Sequence, residues 1–86
     1  MEHLVLTRVP DEYRGSLDCL SLPRDCRTEL YEDNGGKGSL YSVYRGDVFL
    51  GWLEEWYGSD GNGKLAAHYF RKAENVMVTY SLPDEP

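Results

Sequence analysis

The chain has 86 residues, 41% of them hydrophobic and 28% charged, which is typical of one small globular domain. Its nine Lys and Arg against fifteen Asp and Glu give a formal net charge of −6, which disfavours generic binding to nucleic acid or anionic membranes. The chain begins without a basic and apolar leader, and no stretch predicts a transmembrane helix. We therefore expect one cytoplasmic domain over residues 1–86, without membrane contact and with its cysteines as reduced thiols.

The first part of the chain predicts one strand followed by an irregular segment. Residues 3–9 alternate in the manner of a short strand, and Pro10 ends it because proline cannot donate to a sheet ladder. Residues 10–22 fit neither the helical nor the strand period, although Pro10 could open a short helical turn.

Residues 23–33 are compatible with a helix or a strand. As a helix, they would place Cys26 and Leu30 one turn apart on the same side. As a strand, they would alternate apolar and charged side chains and turn at Asn34-Gly35 into the next run. Because Asn-Gly is a strong tight-turn signal, we favour the strand, which would extend the sheet by one member.

Residues 39–72 predict a three-stranded antiparallel meander. Two runs rich in aromatic and β-branched residues flank Gly46-Asp47, and a third follows the glycine-rich loop 58–63. A two-residue loop at Gly46-Asp47 places Arg45 opposite Val48. The same pairing scheme then extends along both strands. A loop at Arg45-Gly46 would instead pair Val43 with Val48 and keep the same two faces, and only a three-residue loop would exchange them.

This register assigns alternate residues of the three strands to opposite faces. The face predicted to be buried carries Tyr41, Val43, Val48, Leu50, Trp52, Trp56, Leu65, Ala67 and Tyr69. The second face carries Leu40, Ser42, Tyr44, Phe49, Gly51, Leu53, Glu55, Tyr57, Lys64, Ala66, His68 and Phe70. A sheet face exposed to water is usually polar at alternate positions, whereas the second face is about half apolar. We therefore expect the rest of the chain or a partner to cover it.

The end of the chain predicts one more strand, over residues 75–82, before a polar terminus. The fold class predicted is mostly β, with α+β as the alternative. It is a small antiparallel meander of four to five strands with its sheet core over residues 39–82. At most one or two short helical segments are expected, in the N-terminal third.

No motif in the sequence predicts catalysis. Cys19 and Cys26 are too far apart for a zinc ribbon or finger, and the loop 60–63 lacks the later Glu of a calcium loop. Glu54 and Glu55 are adjacent on a strand and so point to opposite faces, which prevents them from acting as an acid/base pair. We predict no catalytic residue, no metal and no cofactor, and therefore a protein that is not an enzyme.

An aromatic patch on the second face is the strongest candidate for a binding site. Its predicted members are Tyr44, Phe49, Leu53, Tyr57 and Phe70. Aromatic residues are enriched at the centres of protein interfaces, and a large exposed apolar patch marks an interaction site. The competing interpretation is that residues 1–38 pack on this face, and we favour that covering by about two to one.

The predicted function is that of a small acidic module that binds another protein, with the acidic flanks favouring a basic partner. An accessory or inhibitory protein of a phage or mobile element would fit this description. The alternative is a nucleic-acid-binding sheet that uses Arg45, Lys64 and Arg71 beside its aromatic residues. At the level of fold alone, the meander resembles the small sheet domains with which some recombinases read the DNA major groove. Such domains require basic strands, and this sheet offers few bases.

Overall fold

The computed structural model describes residues 1–9, 20–33, 35–57 and 65–81, except for the side chains of Gly36, Tyr57 and residues 65–67. The strands in these ranges are β1 (Glu2–Arg8), β2 (Leu20–Ser21), β3 (Cys26–Asp33), β4 (Gly38–Arg45), β5 (Val48–Tyr57), β6 (Leu65–Lys72) and β7 (Val76–Ser81). A single 3-10 turn at Gly35–Lys37 precedes β4, and no α-helix occurs in the described ranges. The mostly β class is therefore confirmed, and the helical alternative for residues 23–33 is wrong.

The strands form two sheets. The large sheet has the order β3-β4-β5-β6, all antiparallel, so the meander predicted from Cys26 to Lys72 is confirmed. The small sheet has the order β2-β1-β7, in which β1 runs antiparallel to β2 and parallel to β7. The last strand thus leaves the meander and pairs with the first, and the two strands contribute Leu4, Leu6 and Val76 to the core.

One hydrophobic core lies between the two sheets. Its buried members are Leu4, Leu6, Leu20 and Val76 from the small sheet and Val43, Leu50, Leu53 and Phe70 from the large sheet. Removing these side chains from water is the main source of stability, at about 25 cal/mol per Å² of apolar surface. The small sheet therefore covers the face of the large sheet that carries Val43 and Leu50. The covering interpretation expected the N-terminal residues on the face of Tyr44 and Phe49, and for those two residues it is wrong because β1 and β2 pack on the opposite side.

The turn between β4 and β5 is the predicted two-residue loop. Arg45 lies opposite Val48, and Gly46 has a φ of 61°, which glycine adopts without strain. Only the first of the two loop residues has a positive φ, as a Gly-first tight turn requires. The second predicted turn, over residues 58–63, lies outside the described ranges.

A β-bulge interrupts the β4–β5 ladder just beyond this turn. Tyr44 pairs with Phe49, but Val43 pairs with Gly51, so Leu50 is an extra residue in β5. Gly51 has a φ of 145°, and a Cβ atom placed on it would lie 2.2 Å from the carbonyl oxygen of Arg71. Only glycine fits this position, because β6 approaches the bulge too closely for any side chain.

The bulge exchanges the two faces from Gly51 onward, so the sequence-based face assignment is wrong for residues 51–56 of β5 and for His68, Tyr69 and Phe70 of β6. Leu53 and Phe70, predicted on the second face, are buried at 6% and 8% exposure. Trp56, predicted to be buried, is 45% exposed. The physical reason is that one inserted residue shifts the register by one, and such a shift reverses every later side chain.

Other residues of the predicted buried face have mixed positions. Val43 and Leu50 are fully buried as predicted, whereas Val48 beside the turn is 38% exposed. Trp52 and Tyr69 are half-buried on the opposite side of the sheet from Val43. In the ranges that the structure describes, nothing helical is long and apolar enough to cross a membrane.

Candidate binding surface

The face of the large sheet that points away from the small sheet is the candidate binding surface, and we call it the outer face. Strand register assigns to it Arg27, Glu29 and Glu32 from β3, Leu40, Ser42 and Tyr44 from β4, Phe49, Trp52, Glu54 and Trp56 from β5, and Tyr69 and Arg71 from β6. None of these side chains belongs to the core between the sheets. The small sheet packs on the opposite face of the meander, beside Val43 and Leu50, so none of its described core residues covers the outer face.

Three aromatic side chains form a row across β4 and β5, and we call Tyr44, Phe49 and Trp52 the aromatic row. The ring centroids of Tyr44 and Phe49 are 5.6 Å apart with an interplanar angle of 58°. Those of Phe49 and Trp52 are 4.9 Å apart at 76°, an edge-to-face contact. Such geometry is favourable for aromatic pairs and holds each ring in a fixed orientation.

The bulge is what makes the aromatic row continuous. Phe49 and Trp52 are three positions apart, and in a regular strand they would point to opposite faces. Because Leu50 and Gly51 are both on the buried side, the two rings become neighbours on the outer face. All three rings are half-buried, so each keeps part of its surface open to solvent.

Two arginines lie at the ends of the aromatic row. The guanidinium carbon of Arg27 is 4.4 Å from the ring centroid of Tyr44, and that of Arg71 is 5.9 Å from the ring centroid of Trp52. Each arginine also pairs with a carboxylate of the outer face. Arg27 bonds to Glu29, and Nη2 of Arg71 lies 3.0 Å from Oε1 of Glu54. These ion pairs leave little excess positive charge on the surface.

A depression of about 250 Å³ lies beyond the aromatic row, and we call it the acidic depression. Its lining residues are Glu32, Gly38, Ser39, Leu40, Glu54, Glu55, Trp56 and Arg71. Glu54 of this lining is paired with Arg71 and Glu55 faces His68, so the negative charge that remains is that of Glu32. Trp56 supplies an exposed indole beside these carboxylates, a combination that suits a cationic side chain.

The structure brings together only part of the predicted protein-binding patch. Tyr44 and Phe49 lie side by side on the outer face, as the second-face assignment placed them. Leu53 and Phe70 are instead core residues on the opposite face of the sheet, so their predicted place in one patch with Tyr44 and Phe49 is wrong. Tyr57 ends β5, and its side chain lies outside the described set.

Sequence reasoning missed Trp52, Trp56 and Arg27 as members of this surface. The signal that could have identified them is Gly51, because an isolated glycine inside a strand pattern often marks a bulge. Placing the bulge there moves both tryptophans to the side of Tyr44 and Phe49. A strict two-residue alternation along β5 leaves no place for the extra residue of the bulge.

The alternative nucleic-acid residues do not share a surface. Arg45 points toward the small sheet, where Nη1 donates to the carbonyl oxygen of His3 at 3.1 Å. Its Nε lies 3.1 Å from a carboxylate oxygen of Asp25. Arg71 is on the outer face, and Lys64 lies outside the described ranges. Arg45 therefore connects the two sheets and is on the opposite side from Arg71.

Cys26 is a free thiol beside Arg45. Burial raises the pKa of this thiol, while the neighbouring Arg45 guanidinium opposes the rise. A raised pKa keeps the group as the neutral thiol at neutral pH, which is the less nucleophilic form. Cys19 lies outside the described ranges.

His68 and Glu55 form the main polar contact on the covered side of the large sheet. Nδ1 of His68 donates to the carbonyl oxygen of Leu20 at 2.8 Å, and Nε2 lies 3.6 Å from Oε1 of Glu55. The two side chains are only 18% and 21% exposed. The pair therefore joins β6 to β2 and β5, which is a structural role.

Comparison of this chain with protein-family models, curated proteins and solved structures found no significant match. The functional argument therefore depends on the geometry of the outer face.

Proposed function

We propose that the protein is a non-catalytic module that binds another protein on the outer face of the large sheet. The observation that carries this proposal is the aromatic row. Its rings remain partly exposed, although the other face of the same sheet is covered by the chain itself. Clustered aromatic side chains held in fixed orientations are typical of the few residues that dominate protein-binding energy.

The charges of the surface favour a protein partner over nucleic acid. The net charge of −6 repels phosphate, and nucleic-acid affinity depends mainly on neutralising phosphates. Arg27 and Arg71, the arginines of the outer face, are each already paired with a glutamate. A phosphate bound by either arginine would lie close to the paired glutamate, whose negative charge repels it.

The acidic depression indicates that the partner presents basic residues. A Lys or Arg of the partner could lie against Trp56 while its charge faces Glu32 and Glu54. Attraction of this kind mainly speeds association, and salt screens it as the Debye length falls to about 10 Å at 0.1 M. The affinity itself would come from the rings.

A second candidate function is stacking of single-stranded nucleic acid on the same rings. The observation in its favour is that the Arg71 guanidinium lies over the Trp52 ring, which in turn contacts Phe49. Aromatic rings and guanidinium groups both stack on bases. This function uses Trp52 and Arg71 rather than the set Arg45, Lys64 and Arg71. The roles of phage accessory protein or inhibitor stay predictions.

The experiment that tests the proposal identifies the partner by affinity capture from the native host and then titrates the purified partner. Replacing Trp52 or Trp56 with Ala should weaken binding by about 30-fold or more, because loss of a central aromatic anchor costs about 2 kcal/mol. The matched control is Val5→Ser, which changes an exposed apolar residue on the far side of the small sheet. Binding that falls equally in Val5→Ser would contradict the proposal.

A parallel titration separates the two candidate functions. Single-stranded and duplex oligonucleotides are added at low salt, where phosphate contacts are strongest. We expect no binding at micromolar concentration. Binding that Arg71→Ala and Trp52→Ala both abolish would replace the protein-binding function with the nucleic-acid one.

A further inference from the structure

The second exposed feature of the molecule is the free edge of β7. Among the described strands, β7 is the last member of the small sheet and pairs only with β1. Its six residues, Val76–Ser81, carry no charge and include neither proline nor glycine. Strands with unpaired backbone groups are ready templates for pairing with another chain.

The other strand edges carry the features that natural proteins use to prevent such pairing. The β3 edge holds Arg27, Glu29, Glu32 and Asp33 and is distorted by a bulge next to Tyr31. The β6 edge ends in Arg71 and Lys72, and β2 is only two residues long. Charges, bulges and short length all block edge-to-edge association, and β7 has none of the three.

β7 has an exposed residue on each of its two faces. Met77 and Tyr80 are each 51% exposed, and strand alternation places them on opposite faces. A groove of about 250 Å³ on the inward side is lined by Phe70, Lys72, Val78 and Tyr80. An added strand would therefore meet apolar side chains on both faces, and Lys72 is the charged residue of the groove lining.

We propose that β7 pairs antiparallel with β7 of a second copy, which joins the two small sheets into one continuous sheet of six strands. An uncharged strand can meet its own copy without placing like charges opposite each other, whereas a copy of β3 could not. A two-fold axis normal to the sheet keeps the inward-facing Val78 and Tyr80 opposite inward-facing residues of the copy. Both large sheets then remain on the same side, and both outer faces stay free.

This assembly stops at two copies. Pairing uses the β7 edge of each copy, and the remaining described edge of the small sheet is the two-residue β2. A two-fold contact closes on itself, whereas a head-to-tail contact would continue into a fibre. Because a six-residue edge buries little area, the dimer is weak and depends on concentration.

Sedimentation equilibrium of the full chain from micromolar to millimolar concentration tests the proposal. The average mass should rise from that of the monomer toward twice that value and no further. Met77→Lys and Tyr80→Lys should each raise the dissociation constant about tenfold or more, because the two-fold axis brings two like charges together. Leu30→Lys is the matched control, since Leu30 is an exposed apolar residue on the β3 edge.

Three outcomes would overturn the β7 dimer. They are a monomer mass up to millimolar concentration, a mass that rises past the dimer, and a dimer that Leu30→Lys weakens while both β7 variants do not. Circular dichroism of each variant confirms that the chain is folded before its mass is measured. The mass measurements involve no partner of the outer face. They therefore test the β7 dimer whether or not the proposed function is correct.

Discussion

Replacing Gly51 with Ala will lower the free energy of unfolding by about 3 kcal/mol or more, a large share of the total for a small domain. Two costs add at this residue. The φ of 145° is strained for any residue with a side chain, and the new methyl group would lie 2.2 Å from the carbonyl oxygen of Arg71. The obstacle is backbone of β6, which cannot rotate away as a side chain would. Urea denaturation followed by circular dichroism measures the loss.

Gly46→Ala is the matched control for this prediction. Gly46 also has a positive φ, 61°, but a methyl group on it would meet no atom within 4 Å. Its replacement should therefore cost only the backbone strain, about 1–2 kcal/mol. Equal losses for the two variants would mean that β6 does not approach the bulge as closely as described.

Replacing Leu53 or Phe70 with Ala will cost about 2–5 kcal/mol each, and Trp56→Ala will cost less than either. Leu53 and Phe70 are paired across β5 and β6 and are buried at 6% and 8% exposure, so truncation leaves a cavity between the sheets. Trp56 is 45% exposed and lies outside the core, so shortening it leaves no cavity between the sheets. Urea denaturation of the three variants gives the comparison.

The face assignment made without the bulge predicts the reverse order for the loss of unfolding free energy in these three variants. It places Trp56 in the core beside Val43 and Leu50, and it places Leu53 and Phe70 on the face of Tyr44 and Phe49. A Trp56→Ala variant that loses more stability than Leu53→Ala would therefore contradict the bulge. Where Phe70→Ala does not fold, Leu53→Val gives the same test with a cost of about 0.5–1.5 kcal/mol, as for removing one methylene from a core.

Local signals explain why most of the meander could be predicted from the sequence. Gly46-Asp47 and Asn34-Gly35 lie between runs of strand-forming residues, and short-range turn chemistry sets where such strands begin and end. The turn at Gly46 also sets the pairing of Arg45 with Val48 directly. The turns and the strand pairing beside them are determined by residues that are close together in the sequence.

Two features of the fold were not predicted. The parallel pairing of β1 with β7 joins Glu2 to Val76, and the residues themselves do not specify that partner. Gly51 is a local signal for the bulge, but the close approach of the Arg71 carbonyl oxygen, which excludes any side chain there, is a property of the packed sheet. The candidate surface follows from the bulge, so Tyr44 and Phe49 were found while Trp52 and Trp56 were placed on the wrong face.

The central claim, that a partner binds the outer face, is tested most directly by the indole N–H signals of the chain. The sequence contains two tryptophans, Trp52 and Trp56, and both lie on the outer face. In a ¹H–¹⁵N correlation spectrum they give two resolved probes of that surface. We predict that adding the purified partner shifts or broadens both indole signals while the amide of Val5 keeps its position. Unchanged indole signals at saturating partner, with shifts confined to the small sheet, would contradict the account.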